Sequence, residues 1–340
     1  MNRLKYPIRT FLLAILTLGT FVAVSSCRDL PYELVHLESE GVRLPVTFRG
    51  NVDADVVVIY NHGGPGSPEF DRIAAAIQAL SDDYLIVTWA QRSTIMASGR
   101  VTAETNTVAQ HGEDLHRVRE LVEHRYPGKR VVLVGHSWGV TVIASYLNIY
   151  GGESIDGVVL SDGWLDYDSN VHNATFAMEE LSNDRQNETW EAHREFARRV
   201  RAAGPPYAWE DIMIGTEICF ELESSADVDV IVDWGDQRLQ PVAAPILIPS
   251  GFQFNWQFDS IIQEFPGLDL RPGLRDLGVP TLLLWGSQDC RVPPTTAVEI
   301  LEVLGDTPAT LEIIDGAAHI PFDESPIRSE ELLRTFLRGL

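Results

Sequence analysis

Hydrophobic residues along the chain fall into short apolar runs, separated by longer segments with helical spacing. The runs of strand length are Val56–Tyr60, Tyr84–Trp89, Arg130–Val134, Val158–Leu160, Pro280–Trp285 and Thr310–Ile314. Between them, the segment Val108–Arg125 places its apolar side chains on one helical stripe, at Val108, Leu115, Val118 and Val122. Strands that alternate with amphipathic helices predict a mostly parallel central sheet with helices on both faces.

Two segments depart from this alternation. Residues Glu33–Gly50 alternate between apolar and polar side chains, which predicts an antiparallel hairpin at the start of the fold. The interval 166–271 is rich in aromatic and acidic residues, and its apolar side chains show helical spacing from Trp209 to Phe220. We therefore predict a helical cap at 166–271, inserted into a core formed by residues 33–165 and 272–340.

The junction after the third apolar run carries the most specific chemical motif. Residues 135–139 have the sequence Gly-His-Ser-Trp-Gly and are followed by a helical stretch, Val140–Tyr150. A serine on so sharp a strand-to-helix turn is held clear of the sheet, at the N-terminus of the new helix. A Cβ atom on either flanking glycine would clash in that bend. Ser137 is therefore predicted to be a nucleophile.

An acid and a base follow the last two predicted strands. Asp289 lies four residues after Trp285, and His319 lies five residues after Ile314. A serine hydroxyl needs a neighbouring base at neutral pH, and a carboxylate holds that histidine in the correct tautomer. We predict a triad of Ser137, His319 and Asp289. Asp162, which follows the strand Val158–Leu160, is a competing candidate for the acid.

A glycine-rich loop follows the first apolar run. Its sequence is His-Gly-Gly-Pro-Gly, at residues 62–66. Such a loop can direct a backbone N–H towards the oxyanion that forms during acyl transfer. The residue after the nucleophile, Trp138, would supply a second N–H.

These motifs together resemble the proline iminopeptidase branch of the α/β-hydrolases. The resemblance rests on the loop at 62–66, on Gln91-Arg92 and on the Gly-x-Ser-Trp-Gly turn, and it covers Val56–Asp162 and Pro280–Pro321. It implies the α/β-hydrolase fold, the same triad, and hydrolysis of an amide or ester without a cofactor. It also implies an oxyanion hole formed by backbone amides of Gly63 and Trp138, with Gly64 in the same loop as a further candidate.

The chain departs from that family at three places. The family's Asp-Gln-Arg-Gly stretch is Ala-Gln-Arg-Ser here, at residues 90–93, and His136 stands where the family has glycine in the turn. In the cap, Trp209-Glu210 is the one echo of the family's glutamate-containing runs, which hold the substrate's amino group.

Three glutamates in the cap are candidates for amine binding. Glu210, Glu217 and Glu221 have spacings of seven and four residues, so they lie along one stripe of the predicted helix. Facing the pocket, they would bind a substrate ammonium group. Facing water, they would form an ordinary solvated flank.

The N-terminus has the features of a bacterial secretory leader. Basic residues Arg3, Lys5 and Arg9 precede an apolar stretch, Phe11–Val24, that is shorter than the ~20 residues a membrane-spanning helix needs. Cys27 follows Val-Ser-Ser, which resembles a lipoprotein processing site. We expect a signal peptide at residues 1–26 and a lipid anchor on Cys27 in the cell envelope. The alternative is a soluble periplasmic or secreted protein.

The two remaining cysteines, Cys219 and Cys290, could form a disulfide or stay reduced, and the position of Cys290 beside the predicted acid favours free thiols. The formal net charge of −23 excludes nucleic acid and anionic lipid as partners, so a membrane contact would come from the lipid anchor. The histidine and cysteine spacings match no zinc motif, so we expect no metal, and His111 and His116 are predicted at the surface.

These observations favour a cell-envelope serine hydrolase that forms an acyl-enzyme on a small molecule or short peptide. The most specific version of this hypothesis is a proline iminopeptidase-like aminopeptidase. The alternative enzyme is a carboxylic ester or lactone hydrolase on the same fold. A third hypothesis, from another class, is a lipid-anchored binding protein that lacks catalysis; it would miss a member of the triad, and every member is present here. Oligomeric state is left open by the sequence.

Overall fold

A computed structural model describes residues 32–66, 74–92, 94, 96–183, 185, 188–225, 261–275 and 277–340 of the chain. The predicted leader, the predicted lipid anchor on Cys27 and residues 226–260 of the predicted cap lie outside the described residues. Within the described ranges, no helix is long and apolar enough to cross a membrane.

The centre of the structure is one sheet. Its strands are β1 (Tyr32–Ser39), β2 (Val42–Gly50), β3 (Val56–Asn61), β4 (Leu85–Trp89), β5 (Ser98–Gly99), β6 (Arg130–His136), β7 (Gly157–Ser161), β8 (Thr281–Gly286) and β9 (Ala309–Ile314). The order across the sheet is β1-β2-β4-β3-β6-β7-β8-β9, and β5 pairs with β2. The β1–β2 and β2–β4 pairs are antiparallel, and all pairs from β4 to β9 are parallel. The predicted opening hairpin is therefore confirmed.

Helices cover both faces of the sheet. Their bounds are α1 (Ala75–Ala79), α2 (Val108–Arg125), α3 (Trp138–Tyr150), α4 (Tyr167–Leu181), α5 (Glu188–Ala203), α6 (Trp209–Ser225), α7 (Pro294–Leu304), α8 (Pro321–Glu324) and α9 (Pro326–Arg338). Short 3₁₀ segments follow α1 and precede β8, at Leu80–Asp82 and Arg271–Leu274. The predicted helix at residues 108–125 is confirmed, and the Thr107 side chain caps its first turn by accepting from the Gln110 N–H.

Alternate residues of the central strands enter separate hydrophobic cores. In β3, Val57 and Ile59 face the core that also contains α2, α3 and α7, whereas Val58 and Tyr60 face the core with α1 and α9. Because both faces are buried, the strands are apolar throughout and show no polar side. This arrangement confirms the predicted α/β-hydrolase fold class.

Helices α4, α5 and α6 belong to the described part of the chain between β7 and β8, in the interval predicted to be the cap. They enclose a small core of their own, built from Ala174, Met178, Ala197, Ile218, Cys219, Leu222 and Cys290. The described part of this interval is therefore largely helical, while the cap boundaries at 166 and 271 stay a prediction.

A disulfide joins this helical layer to the sheet. Cys219 of α6 and Cys290, which follows β8, are bonded at an S–S distance of 2.00 Å and a Cα–Cα distance of 5.2 Å. The expectation of two free thiols is therefore wrong. The packing of α6 directs Cys219 at the loop after β8, a contact between residues 71 positions apart that spacing alone could not reveal.

Replacing both cysteines, Cys219→Ser with Cys290→Ser, is expected to lower the free energy of unfolding by ~2–4 kcal/mol, because the bond restricts the unfolded chain. Urea unfolding followed by circular dichroism measures the change. Reductant should destabilise the wild type to a similar extent and leave the double variant unaffected. Equal stability of the oxidised wild type and the variant would show that the bond contributes nothing.

Candidate active site

Ser137 lies at the tight turn between β6 and α3. Its backbone has φ 53° and ψ −120°, a conformation that non-glycine residues rarely adopt. In this turn the helix approaches the sheet so closely that only glycine fits, since a Cβ on Gly139 would lie 2.0 Å from the Asn61 carbonyl oxygen. A Cβ on Gly135 would lie 2.7 Å from the Gly139 carbonyl oxygen. The sequence-based reason for both glycines is therefore confirmed by the packing.

The predicted acid and base meet the serine at the carboxyl edge of the sheet. The Ser137 hydroxyl lies 2.9 Å from Nε2 of His319, so it can donate a hydrogen bond to that nitrogen. The other ring nitrogen of His319, Nδ1, lies 2.8 Å from Oδ2 of Asp289. His319 and Asp289 are both buried. The structure thus brings together all three residues that the sequence nominated.

Burial and its hydrogen-bond partners set the charge of Asp289. Burial raises the pKa of the Asp289 carboxyl to about 6, against opposing effects from the positive charge of Arg291 and the Val292 N–H. That N–H donates to Oδ1 at 3.0 Å. A carboxyl group with this pKa is ionised at neutral pH, as a partner for an imidazolium must be.

The competing acid, Asp162, is placed beside Asp289. It follows β7, is fully buried, and accepts hydrogen bonds from the Gly286 N–H at 2.9 Å and from the Ser161 hydroxyl at 2.6 Å. Burial and the negative charge of Asp289 hold the pKa of the Asp162 carboxyl group well above the usual range. The carboxylate within hydrogen-bond distance of His319 is that of Asp289.

His136, in the position where the family has glycine, supports the base. Its Nε2 donates to the backbone carbonyl of His319 at 2.7 Å. On the other side of the ring, Nδ1 lies 3.2 Å from the position that a Cβ on Gly63 would occupy. The side chain therefore lies between the glycine-rich loop and the loop that carries the base. Sequence analysis marked His136 as a departure but did not predict this contact.

His136→Ala is expected to lower kcat/KM by about 5- to 100-fold, because it removes a buried donor to the His319 carbonyl, a loss of ~1–3 kcal/mol. His136→Gln is the matched control, since its amide nitrogen can replace Nε2 as donor and should restore most of the activity. Steady-state hydrolysis of a p-nitrophenyl ester measures both. Equal losses in the two variants would mean that the ring fills space without supporting the base.

The glycine-rich loop lies directly against Ser137. A Cβ on Gly63 would lie 3.4 Å from the Ser137 Cβ, whereas Gly64 is exposed. Trp138 begins α3, so its N–H is among the first helical amides, which lack an intrahelical acceptor. Gly63 and Trp138 therefore flank Ser137, as the oxyanion hypothesis requires, and Gly64 lies on the solvent side of the loop.

Gln91 contacts this loop from behind, and its neighbour Arg92 is bonded to α2. The Gln91 amide donates to the His62 carbonyl at 2.9 Å. Arg92 forms a fully buried bidentate pair with Asp114, in which both N–O distances are 2.6 Å. Of the Gln-Arg pair that contributed to the family resemblance, Gln91 thus supports the glycine-rich loop, and Arg92 joins the segment after β4 to α2.

Aromatic side chains pack around Trp138, the residue that follows Ser137. The centroid of the Trp138 ring lies 5.6 Å from that of Phe265 and 5.3 Å from that of His111. The Phe265 ring also contacts Trp164 and Tyr167. His111 is fully buried, so the prediction that it lies at the surface is wrong. Burial and the nearby charge of Arg92 hold the pKa of His111 well below its usual range, which keeps the ring neutral.

Helix α6 clamps the loop that carries the acid. Glu223 pairs with Arg291 at 2.7 Å and accepts from the backbone N–H of Cys290 at 3.2 Å. Cys219, one helical turn earlier, forms the disulfide to Cys290. Glu223 was not among the predicted site residues, although its spacing of four from Cys219 places both side chains on one helical face.

The three predicted amine-binding glutamates lie on a different face of α6. Glu210, Glu217 and Glu221 are exposed. Glu217 and Glu221 line an open groove of about 320 Å³ between α5 and α6, together with His193 and Phe196. Within the described residues, the structure places none of the three in contact with Ser137, His319 or Asp289. Their substrate-binding role stays a prediction.

Among the described residues, no group of three or more His, Cys, Asp and Glu side chains is arranged to hold a metal ion.

Sequence comparison places this site in a known family. The Alpha/beta hydrolase family matches residues 56–329, and the chain belongs to that family. An 84-residue segment is 27% identical to "Probable aminopeptidase YbaC" of Bacillus subtilis (strain 168). That segment covers 24% of this chain and 26% of the Bacillus protein, so it spans about a quarter of the curated relative.

Solved structures share the fold at low sequence identity. A proline iminopeptidase-related protein from Thermus thermophilus is 17% identical, with a TM-score of 0.61 over 91% of this chain and 98% of that one. Proline iminopeptidase from Mycobacterium smegmatis is 17% identical, with a TM-score of 0.59 over 90% and 98%. An esterase from Pyrococcus furiosus is 15% identical, with a TM-score of 0.56 over 92% and 91%. Peptidases and esterases are both similar in fold.

Proposed function

We propose that this α/β hydrolase is a cofactor-independent serine hydrolase that acts through an acyl-enzyme on Ser137. The observation that carries the proposal is the continuous chain of hydrogen bonds from Ser137 Oγ through His319 to Asp289, at 2.9 and 2.8 Å. A serine hydroxyl is a poor nucleophile without a base in contact. The non-catalytic binding hypothesis gains no support from this geometry.

Each residue has a defined role in the proposed reaction. His319 Nε2 takes the hydroxyl proton as Ser137 Oγ attacks the carbonyl carbon of the substrate. The resulting imidazolium, stabilised by the Asp289 carboxylate, then gives that proton to the leaving amine or alcohol. Water attacks the acyl-enzyme in a second round of the same proton transfers, and Ser137 is regenerated.

The oxyanion of each tetrahedral intermediate needs preorganised donors. We assign this role to the backbone N–H groups of Trp138 and Gly63, which flank the nucleophile. Removing one such donor from a hydrolase typically costs ~10²–10³-fold in kcat. Behind the loop, the buried Gln91 amide donates to the His62 carbonyl, which limits the movement of the neighbouring Gly63.

Ser137→Ala is expected to abolish covalent labelling by a fluorophosphonate and to lower kcat by ~10⁶-fold, because the acyl group then has no attachment point. Mass spectrometry of the labelled protein identifies the modified residue. Ser145→Ala, which alters a buried serine on α3 away from the triad, is the matched control and should label normally. Full labelling of the Ser137 variant would refute the proposed nucleophile.

The sharper proposal for the substrate is an aminoacyl amide with a free N-terminus. It is supported by the His-Gly-Gly-Pro-Gly and Gly-x-Ser-Trp-Gly motifs and by the local similarity to a protein named as an aminopeptidase. An ester or lactone is the second candidate. It is favoured by the exposure of Glu210, Glu217 and Glu221, and by the engagement of Glu223 with Arg291. A buried ammonium group without a carboxylate partner would be costly.

Two matched substrates distinguish these candidates. An aminopeptidase is expected to hydrolyse prolyl p-nitroanilide with a kcat/KM about 10- to 100-fold above that of its N-acetylated form, the size of a lost charge-assisted bond. An esterase should prefer p-nitrophenyl acetate, and its kcat/KM should be similar for the prolyl substrate and its N-acetylated form. Glu217→Gln tests the stripe of Glu210, Glu217 and Glu221. A rise in KM for the prolyl substrate alone would mean that the stripe binds the substrate's amino group. An unchanged kcat and KM for both substrates would mean that the stripe is solvent-exposed surface.

The location is also a proposal. A basic leader followed by an apolar stretch and Cys27 supports a lipid-anchored protein of the bacterial cell envelope, with a soluble periplasmic or secreted form as the alternative. The disulfide between Cys219 and Cys290 is consistent with an oxidising compartment. Loss of a palmitate label in Cys27→Ser would separate the two forms.

A further inference from the structure

The Glu223 side chain, on α6, is bound to the loop after β8 through both its oxygens. It is 7% exposed, and every hydrogen bond to it described here comes from that loop. Oε1 accepts the backbone N–H of Cys290 at 3.2 Å and that of Arg291 at 3.4 Å. The Arg291 side chain donates from Nε to Oε1 at 3.2 Å and from Nη2 to Oε2 at 2.7 Å. The carboxylate therefore holds both the backbone and the guanidinium group of this loop.

The same loop turns tightly around Asp289. Oδ1 of Asp289 accepts the N–H of Val292, three residues later, while Oδ2 lies 2.8 Å from Nδ1 of His319. The consecutive backbone N–H groups of residues 290–292 are therefore all bound by carboxylates. Because Arg291 lies inside this turn, its side chain is within reach of Asp289. Burial raises the pKa of the Asp289 carboxyl group to about 6, and the positive charge of Arg291 opposes that rise.

Two carboxylates thus lie near one guanidinium group, and each has a different partner. Among the described residues, Arg291 is ion-paired with Glu223, and Asp289 is paired with His319. Phe220, three residues before Glu223, also holds the guanidinium group at α6, since Cζ of Arg291 lies 4.1 Å from the centroid of its ring. A largely buried cation that loses its partner needs another counter-charge. Without Glu223, the Asp289 carboxylate would be the acceptor available in the same turn.

We propose that Glu223 is a positioning residue for the catalytic acid: it engages Arg291 and so prevents that guanidinium group from pairing with Asp289 and drawing it away from His319. This inference rests on the proposed function for its effect on turnover. The hydrogen bond between His319 and Asp289 is a property of the folded protein, so the positioning itself can be tested without any substrate.

The first measurement is the low-field proton resonance of the His319 Nδ1–H, which reports its hydrogen bond to Asp289 in the full chain without substrate. Asp289→Asn identifies the resonance by abolishing it. Glu223→Gln keeps the shape of the side chain and removes its charge, so Arg291 should turn to Asp289 and the resonance should disappear. Spectra are recorded at about pH 8, well above the pKa of about 6 of Asp289, so that its carboxyl group is ionised.

The second measurement is turnover of a p-nitrophenyl ester. Glu223→Gln should lower kcat by about 10- to 100-fold, the cost of one buried hydrogen bond to a charged group, while KM changes little. Adding Arg291→Met should restore the resonance and bring kcat back to within about 10-fold of the wild type, because the competing cation is gone. If Glu223 contributed only packing, the second substitution would lower kcat further.

Glu179→Gln is the matched control. Glu179 joins α4 to α5 in the same helical layer, through ion pairs to Arg198 at 2.7 Å and to Arg201 at 2.6 Å that do not involve the loop after β8. Its substitution should leave the resonance and kcat unchanged. Equal effects in the Glu179 and Glu223 variants would overturn the proposal, because any loosening of the helical layer would then have the same result.

The remaining outcomes are distinct. Recovery of both kcat and the resonance in the double variant supports the proposal. A double variant no better than Glu223→Gln overturns it, and so does an unchanged resonance in Glu223→Gln. If Glu223→Gln does not fold, Arg291→Met alone decides: a persistent resonance supports the proposal, and its loss would mean that Arg291 holds Asp289 in place. If wild-type Ser137 fails to label with a fluorophosphonate, the proposed function fails, while the resonance still decides the role of Glu223.

Discussion

The close approach of α3 to the end of β3 is the constraint on which the site depends. The Gly139 Cα and the Asn61 carbonyl are so near that no side chain fits between them. The Asn61 side chain, in turn, donates to the Val134 carbonyl at 3.2 Å and accepts from the Trp89 indole at 3.1 Å. Three neighbouring strands are thereby joined at one point. Ser137 and the glycine-rich loop both follow strands that end at this point, so their relative position is set by the core rather than by flexible loops.

Parallel strands then determine which other residues can reach Ser137. Each strand from β6 to β9 ends at the same edge of the sheet, so residues far apart in the chain follow adjacent strand ends. Asp289 follows β8, and His319 follows β9. The helical layer of α4, α5 and α6 adds a second set of restraints, because the disulfide and the Glu223–Arg291 pair attach α6 to the loop that contains Asp289. The arrangement of Ser137, His319 and Asp289 is therefore supported from the sheet and from the helical layer.

Two buried carboxyl groups of identical chemistry occupy this edge, and their surroundings give them different roles. Asp289 contacts the histidine and lies within the field of Arg291, so it can carry the negative charge. Burial and the negative charge of Asp289 raise the pKa of the Asp162 carboxyl group well above its usual range, and the Gly286 N–H and the Ser161 hydroxyl that donate to it act in the opposite direction. Strand position alone made either residue a candidate acid, and only the contacts distinguish them.

By itself, the sequence determined the features that arise from local physics. Apolar runs defined the central strands, helical periodicity placed α2, and the glycines around Ser137 marked a turn that tolerates no side chains. The predicted order of Ser137, Asp289 and His319 along the chain then followed from the strand after which each residue lies. Tertiary structure alone decided the disulfide, the contact of His136 with the His319 carbonyl 183 residues away, and the burial of His111. These depend on which helix face meets which loop, and that geometry is set by packing among distant segments, for which a single sequence carries no local signal.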